Sequence, residues 1–331
     1  MPITEWEVLE LSTIYEPVNE DMIKVEDALK AVSLVNFDHL SELLAYSLKS
    51  EGKRIRPALT LLAGKFYDYN LNHLLPMATA IEVMHTATLV HDDAIDKSSA
   101  RRGRPTINEL WSDEEAVLLG DYLFADAGAL TATTNNLRVI KLFATTLRTI
   151  STGELSQAFN NFNLNQSRSQ YFQRVAKKTA ALFSMATESG AVLSQAPEKS
   201  IQILIDYGQN LGIAFQIVDD ILDFTGTEKE VGKPIGSDLA QGTLTLPALL
   251  LLEHYPEENP VKRIFSHKEN LTKDNIELAL ELICNSPIIQ ECYKVASEYC
   301  AKARQNLKLL PENSSRHSLI ELTDFIVSRK K

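Results

Sequence analysis

Apolar residues recur at every third or fourth position along most of this chain, and this spacing limits what it can fold into. On a helix such residues share one face, whereas a half-buried strand needs strict alternation. Only 13 glycines and 12 prolines interrupt the pattern in 331 residues, and no alternating stretch is long enough to indicate a sheet. The sequence therefore predicts an all-α protein. No linker or low-complexity segment separates two halves, so we expect a single domain over residues 1–331.

Local signals divide the chain into helices. Ser112 or Asp113, followed by acidic residues, indicates a helix start, and two asparagines at 135 and 136 break the pattern. The span from Gly226 to Gly242 holds four glycines and Pro234 and is predicted to be a long functional loop. The predicted helices cover about residues 20–31, 37–49, 74–96, 113–133, 137–162, 167–194, 198–224, 244–253, 272–284, 287–310 and 318–328.

Charge and composition exclude several classes of function. The formal net charge of −11 argues against a general nucleic-acid binder and against binding to anionic membranes by bulk charge. Three widely spaced cysteines are too few for a zinc site or a disulfide framework. The acidic N-terminus lacks the features of a signal peptide, and no apolar segment reaches the roughly 20 residues of a spanning helix. We therefore expect a cytoplasmic protein without a transmembrane segment.

The stretch from Ile81 to Arg104 concentrates charged residues within one short span. His85, Asp92 and Asp96 are separated by seven and four positions, so they share one face of a helix. Two carboxylates one turn apart repel each other unless a cation lies between them. Mg²⁺ suits such oxygens, because it binds through one or two carboxylates and fills its other positions with waters or phosphate oxygens. With three arginines just beyond, this stretch predicts a site for a magnesium-bound polyphosphate.

A second acidic cluster, Phe215 to Asp223, repeats the DDxxD spacing of Asp92 to Asp96. Both copies are embedded in apolar residues rather than in other charges. Burying three carboxylates on an apolar helix is very costly without compensating cations. We therefore expect the two helices to face each other across a cavity and to share a cluster of Mg²⁺ ions.

Five segments occur in an order that resembles one enzyme family. They are GKRIRP, HTATLVHDDAIDKSSARRGRP, KKTA, FQIVDDILD and GKPIGSDL, spread over about residues 40–250. In this order they resemble the trans-polyprenyl diphosphate synthases. The resemblance implies an all-α isoprenoid synthase fold around a central catalytic cavity, usually in a homodimer. It also implies a Mg²⁺-dependent prenyltransferase that condenses isopentenyl diphosphate with an allylic diphosphate to make a geranylgeranyl or longer all-trans product.

The resemblance also implies roles for individual residues. The Mg²⁺ ions, about three per substrate-bound site, would be held by Asp92, Asp93, Asp96, Asp219, Asp220 and Asp223, with Asp92, Asp96 and Asp219 as the direct ligands. The allylic diphosphate would contact Arg101, Lys178, Thr179, Gln216 and Lys233, which with those three aspartates form the expected catalytic set. Isopentenyl diphosphate would contact Lys53, Arg56, His85 and Arg102.

The chemistry of this family explains these residue types. Breaking the allylic C–O bond leaves charge on the diphosphate, which fixed cations can stabilise. Thr179 and Gln216 offer neutral dipoles near the resulting carbocation. The resemblance implies that the released diphosphate accepts the final proton. One departure from the family's pattern is Thr243, where many relatives carry a lysine.

Several other polar residues are expected to be structural. Arg54 and Lys177 should face solvent, Arg104 should support structure, and His91 should pack or orient its neighbours. The basic end at residues 329–331 is expected to be a frayed terminus, since chain ends are often poorly ordered, with folding over a closed site, as in some members of the family it resembles, as the alternative.

Product length in this family depends on the bulk of residues below the first motif. The positions five and four before Asp92 are Ala87 and Thr88, both small. We therefore expect a product of geranylgeranyl length or longer, and more specifically a long polyprenyl chain. Candidates for the floor of the tunnel are Met84, Leu123, Phe124 and Phe159.

Three rival interpretations stay open from the sequence. A class I terpene cyclase also ionises a prenyl diphosphate at a DDxxD motif, but it would have no use for the isopentenyl diphosphate residues. A regulatory subunit of a heteromeric synthase typically loses one aspartate motif, and both motifs are intact here. A metal-buffering helical protein would not need cations beside its carboxylates.

Overall fold

The computed structural model describes residues 10–49, 52–226, 235–257 and 259–329, and these residues are almost entirely helical. The only strands in those ranges are β1 Ala100–Arg101 and β2 Arg104–Pro105, which pair antiparallel. The all-α prediction is confirmed. The helices are α1 Leu11–Ile14, α2 Asn19–Val32, α3 Asp38–Leu48, α4 Ile55–Gly64, α5 Leu71–Asp96, α6 Ile107–Leu110, α7 Asp113–Ala132, α8 Leu137–Asn160, α9 Arg168–Val175, α10 Ala181–Leu193, α11 Glu198–Thr225, α12 Ser237–Ala240, α13 Leu246–His254, α14 Pro260–Ser266, α15 Lys273–Cys284, α16 Ile288–Gln305 and α17 Ser314–Ser328.

Side-chain caps fix the ends of the long helices. Asn70 accepts a hydrogen bond from the Asn72 amide at the start of α5, and Ser112 does the same for Glu115 at the start of α7. Asn136 caps α8 in the same way. Each cap satisfies an amide that has no partner within its helix. The helix start predicted near Ser112 is confirmed, and so is the break at the two asparagines.

The stretch predicted as one helix over residues 167–194 has a different form. It divides into α9, a π-helical turn at Ala176–Ala180, and α10. A π turn inserts a residue into a helix and is frequently found at functional sites. This turn carries Lys178 and Thr179, two of the predicted site residues.

The buried core lies between long helices that pack along one another. Helix α5 packs along α7, while α10 lies between α4 and α11, and α11 also packs against α16. The largest fully buried side chains include Tyr171, Tyr207 and Phe183. The last residues of α5 and the later part of α11 carry the two aspartate motifs, so this packing determines how those motifs approach each other.

Two further expectations bear on the fold. The predicted loop from Gly226 to Gly242 contains the short helix α12 within its described part, whereas residues 227–234 lie outside the described residues. No helix within the described ranges is long and apolar enough to cross a membrane.

Candidate active site

The first aspartate motif forms the C-terminal end of α5. Asp93 is buried, and both of its carboxylate oxygens accept hydrogen bonds of 2.9 Å from Nε of Arg101. Burial raises the pKa of the Asp93 carboxyl, although Arg101 lowers it. Asp92 is partly buried and Asp96 is exposed. The geometry therefore gives Asp93 a supporting role and leaves Asp92 and Asp96 better able to bind a cation.

The second motif divides in a similar way on α11. Asp219 is partly exposed, with 39% of its side chain accessible. Asp223 is buried and accepts hydrogen bonds from the Ser237 hydroxyl at 2.8 Å and from the Asp238 amide at 3.1 Å. It thereby ties the segment that follows residue 234 to the motif. The third aspartate, Asp220, is also buried and belongs to a separate hydrogen-bond chain.

That hydrogen-bond chain links the second motif to the π turn. Tyr171 donates to Asp220 at 2.6 Å, and Nε2 of Gln216 donates to the other oxygen of Asp220 at 2.8 Å. The Thr179 hydroxyl donates to Oε1 of Gln216 at 2.6 Å. Burial, together with the charge of Asp238, raises the pKa of Asp220 to about 7. The chain of bonds fixes which way the Gln216 amide points, and it brings together three predicted residues and one, Tyr171, that the sequence interpretation missed.

Lys178 lies between two carboxylates. Its Nζ is 2.8 Å from the carboxylate of Glu154 on α8 and 3.7 Å from Oδ2 of Asp92. Burial alone would lower the pKa of Lys178, but the charges of Asp92 and Glu154 raise it, so this side chain remains a cation. The structure therefore brings Lys178 to the first aspartate motif, and it adds Glu154, which lies outside the five segments that indicated the other site residues.

The residues predicted to bind isopentenyl diphosphate include two arginines whose charges act on each other, Arg56, which is partly buried, and Arg102, which is exposed. The guanidinium of Arg56 lies 4.6 Å from the ring centre of Phe183, and its Nε has no hydrogen-bond partner. The pKa of Arg56 is lowered to about 10, chiefly by burial; the charge of Arg102 acts in the same direction, and the charge of Glu82 opposes it. Burial and then Arg56 and Arg102 hold the pKa of His85 well below its usual value, so its ring is neutral.

Neighbouring positive charges lower one another's pKa because they repel, and a bound anion would offset that repulsion. A cluster of this kind is therefore suited to binding an anion. Burial also lowers the pKa of Arg102, with Arg101 as the next cause. The backbone carbonyl of Lys53 accepts a hydrogen bond of 2.8 Å from the Tyr15 hydroxyl. This region matches the chemistry expected of a second diphosphate site.

Two of the structural expectations for basic residues were wrong. Arg54 is not a solvated residue, because its side chain is largely buried and pairs with Glu26 at 2.6 Å and with Glu82 at 2.7 Å. Arg329 is not part of a frayed end. Only 3% of its side chain is exposed, and one of its terminal nitrogens lies 2.6 Å from Oδ1 of Asp219. No local pattern indicated either contact, because each depends on partners far away in the sequence.

The other expectations for supporting residues agree with the structure. The His91 ring packs over Gly120 and hydrogen-bonds to the Val117 carbonyl at 2.9 Å. Arg104 stacks on the ring of Tyr46 at 4.3 Å, and Lys177 is exposed.

Four other predicted positions say less about the geometry of the site. Lys233 lies outside the described residues. Thr243 is buried, and its hydroxyl has no hydrogen-bond partner. Ala87 is fully buried, while the Thr88 hydroxyl donates to the His85 carbonyl at 2.7 Å.

The prediction of Phe159 as a tunnel-floor residue was wrong. Its side chain is 90% exposed, because it lies on the outer face of α8. Met84 and Leu123 are fully buried, and Phe124 is partly buried and packs against the core, so these three stay candidates.

The donor set fits Mg²⁺. Within the described residues, no group of three or more His, Cys, Asp or Glu side chains could hold a metal ion. Mg²⁺ does not need such a cage, because it commonly binds one or two carboxylates together with substrate phosphates. Asp92 and Asp96 on one helix and Asp219 on another, with cations beside them, provide such partial sites.

An all-α bundle with two aspartate-rich helices and clustered cations is the arrangement of an isoprenoid synthase. The polyprenyl synthetase family model matches residues 37–283. The chain belongs to this family. It is therefore a prenyltransferase, and it belongs to a group of enzymes that depend on divalent metals and use isopentenyl and allylic diphosphates.

Individual relatives match over nearly the whole chain. Heptaprenyl diphosphate synthase component 2 from Bacillus subtilis (strain 168) is 36% identical over 316 residues, which cover 96% of this chain and 90% of that protein. The solved structure of a decaprenyl diphosphate synthase from Rhodobacter capsulatus superposes with a TM-score of 0.90 at 36% identity, covering 97% and 100% of the two chains. Polyprenyl synthase from Caulobacter crescentus CB15, complexed with calcium and isoprenyl diphosphate, gives 0.93 at 33% identity, with 98% and 100% covered.

Proposed function

We propose that this chain binds an allylic diphosphate through Mg²⁺ at Asp92, Asp96 and Asp219, and binds isopentenyl diphosphate at the cluster around Arg56. The observation that carries the proposal is that the aspartates within each motif have different surroundings. In both motifs some aspartates are held by hydrogen bonds inside the protein, while others remain accessible beside a cation. Bound Mg²⁺ would supply Lewis-acid stabilisation of the charge that develops on the leaving diphosphate.

The chain's own residues then assist each step of the condensation. Arg101 and Lys178 stabilise the leaving diphosphate as the allylic C–O bond breaks and its electron pair moves to oxygen. Thr179 and Gln216, held by their mutual hydrogen bond, present fixed dipoles to the allylic carbocation without forming a covalent bond to it. The double bond of isopentenyl diphosphate supplies the electrons of the new C–C bond. Loss of a proton restores a double bond, and the released diphosphate is the proposed acceptor.

The cluster around Arg56 orients the second substrate. Arg56 and Arg102 are positioned to pair with its diphosphate, and the neutral His85 ring can donate a hydrogen bond to it. Arginine suits this role because its planar fork contacts two phosphate oxygens at once. The unpartnered Nε of Arg56 supports the proposal, since a buried donor normally has a partner.

Elongation activity tests the proposal directly. Purified protein is incubated with Mg²⁺, labelled isopentenyl diphosphate, and farnesyl or geranylgeranyl diphosphate, and the products are sized. We expect a ladder that ends in a long prenyl chain. Replacing Asp92 or Asp219 by Asn should abolish the products.

A second candidate function is that of one subunit in a heteromeric synthase. The reason to consider this function is that two relatives are named heptaprenyl diphosphate synthase component 2. No elongation by the isolated protein with any allylic primer would support this alternative. Both aspartate motifs are intact, which favours an active subunit in either case.

The helix α5 supports a long product. Ala87 and Ala80 are fully buried on one face, two turns apart and below Asp92. A cavity of about 280 Å³ opens at the other end of the helices, lined in part by His73 and Gln195. At 1.5 Å per residue, His73 lies about 28 Å along α5 from Asp92. We infer that the growing chain descends along this face toward that end.

Bulky substitutions along α5 test the path of the product. Ala87→Phe should shorten the product most, because it places a ring just below the diphosphate. Ala80→Phe should stop the chain about 10 Å later and so permit longer products. Product sizing measures both, with total incorporation and thermal unfolding as controls for folding. Identical product distributions from the two variants would contradict the proposed path.

We further infer that the protein forms a homodimer and works in the cytoplasm as one domain. The apolar outer face of α7 and α8 supports the dimer. Its large exposed hydrophobic residues are Val117, Leu118, Leu137, Ile140, Leu155 and Phe159. Exposed apolar side chains gathered on two neighbouring helices are typical of interaction sites in soluble proteins.

A further inference from the structure

Glu154 lies beside the first aspartate motif but outside the five segments of the sequence that carry the family resemblance. It extends from α8, and both of its oxygens are 2.8 Å from Nζ of Lys178. About a quarter of the Glu154 side chain is exposed, which is similar to Lys178. Desolvation raises the pKa of Glu154, with Lys178 acting in the opposite direction. The two side chains form a close, partly shielded ion pair at the edge of the candidate active site.

The position of Lys178 shows a competition between two carboxylates. Asp92 is the other acid within reach, and it lies 3.7 Å from Nζ, which is too far for a normal hydrogen bond. Without Glu154, the ammonium group would pair directly with Asp92. An ammonium in that position would compete with a divalent cation for the carboxylate, because both are attracted to the same oxygens.

We propose that Glu154 is a positioning residue that holds Lys178 away from Asp92, so that the carboxylate stays open to the divalent cation and the ammonium stays aimed at the incoming diphosphate. The inference rests on the proposed roles of Lys178 and Asp92. It assigns Glu154 no contact with substrate. Its effect on the reaction passes through Lys178 alone. An experiment can therefore separate this indirect effect from a direct effect of the Glu154 charge.

The variant Glu154→Gln keeps the shape of the side chain and removes its charge. We expect kcat to fall about 10- to 100-fold, the range for losing a hydrogen bond between charged groups. We also expect weaker binding of Mg²⁺ with inorganic diphosphate, measured by titration calorimetry without substrate turnover. Thermal unfolding should change little, because the side chain is partly exposed.

A double-mutant cycle with Lys178→Met tests whether the effect passes through the lysine. In the Lys178→Met background, Glu154→Gln should cause little further loss in kcat or in binding of Mg²⁺ and diphosphate. Equal losses in both backgrounds would overturn the inference, because they would reflect only the charge of Glu154. Full activity of Lys178→Met alone would instead overturn the proposed role of Lys178, so the two failures are distinguishable.

A matched control comes from Glu188 on α10. It pairs with Arg138 at 3.2 Å, and 15% of its side chain is exposed. Glu188→Gln removes a comparable carboxylate from an ion pair outside the candidate site. It should leave kcat and diphosphate binding unchanged. A loss of activity similar to that of Glu154→Gln would show a general effect of losing an ion pair and would overturn the inference.

Discussion

Arg329 shows how one side chain from the end of the chain enters the candidate active site. Its guanidinium pairs with Asp219, donates to the Phe215 carbonyl at 2.7 Å, and stacks on the Phe215 ring at 4.0 Å. Three contacts of different kinds hold a single side chain, which explains its burial. Asp219 is a proposed ligand for Mg²⁺, and the guanidinium pairs with one of its two carboxylate oxygens, so the arginine and the cation would compete for this side chain.

Replacing Arg329 should therefore strengthen metal binding. We expect Arg329→Gln to raise the apparent affinity for Mg²⁺ with inorganic diphosphate about two- to fivefold, since an ion pair with a partly exposed carboxylate such as Asp219 contributes about 1 kcal/mol or less. Titration calorimetry measures the change. Arg304→Gln is the control, because Arg304 pairs with Asp324 at 2.8 Å and neither residue has a proposed role in the site. Weaker binding in Arg329→Gln would indicate that the arginine helps to hold diphosphate instead.

Residues whose signal lies within one helix were predictable, and residues whose signal depends on tertiary contacts were not. Asp92 and Asp96 share a helical face because of their spacing alone. Tyr171 and Glu154 are ordinary helix residues by pattern, and only the packing of α9 and α8 brings them to Asp220 and Lys178. Hydrophobic periodicity carries no information about such contacts.

At the scale of the element, the π turn at Ala176–Ala180 is the feature that periodicity could not predict. The apolar spacing over residues 167–194 fits one continuous helix. One inserted residue rotates the apolar face of that helix too little for the spacing to reveal it. The insertion nevertheless separates α9 from α10 and carries both Lys178 and Thr179. The capped helix starts were predictable because capping depends on a few adjacent residues.

The crossing of α10 over α4 depends on a glycine. A Cβ on Gly190 would lie 2.2 Å from the Thr60 carbonyl oxygen and 3.0 Å from the Ala63 Cβ. Backbone atoms in a packed helix cannot move away easily, so Gly190→Ala should destabilise the protein by about 1–3 kcal/mol. Chemical denaturation measures this change in the free energy of unfolding.

The matched control for this crossing is Gly128→Ala on α7. A Cβ there would meet only Phe143, at an ordinary distance of 3.5 Å. Alanine restricts the unfolded chain more than glycine does, so this variant should be neutral or more stable by up to about 1 kcal/mol. Equal destabilisation of the two variants would mean that the close approach of α10 to α4 does not determine stability.

At the scale of the whole molecule, the exposed apolar face of α7 and α8 is opposite in character to the charged candidate site. Leu155 is 73% exposed and Phe159 is 90% exposed, one turn apart on α8. Such side chains gain about 1.5–3 kcal/mol each when they are fully buried. The prediction that Phe159 lines the tunnel was wrong because the sequence does not reveal whether an apolar residue on a helix faces the core of its own chain or a partner.

Charged substitutions on this face test the proposed dimer. The double variant Leu155→Glu/Phe159→Glu should weaken self-association about a hundredfold or more, because it removes apolar contacts and places like charges at the interface. Sedimentation velocity over a range of concentrations measures the association. Leu34→Glu/Phe37→Glu is the control, since these residues are also exposed, at 81% and 63%, but lie between α2 and α3. A wild-type monomer, or a dimer that survives the α8 substitutions, would contradict the assembly through this face.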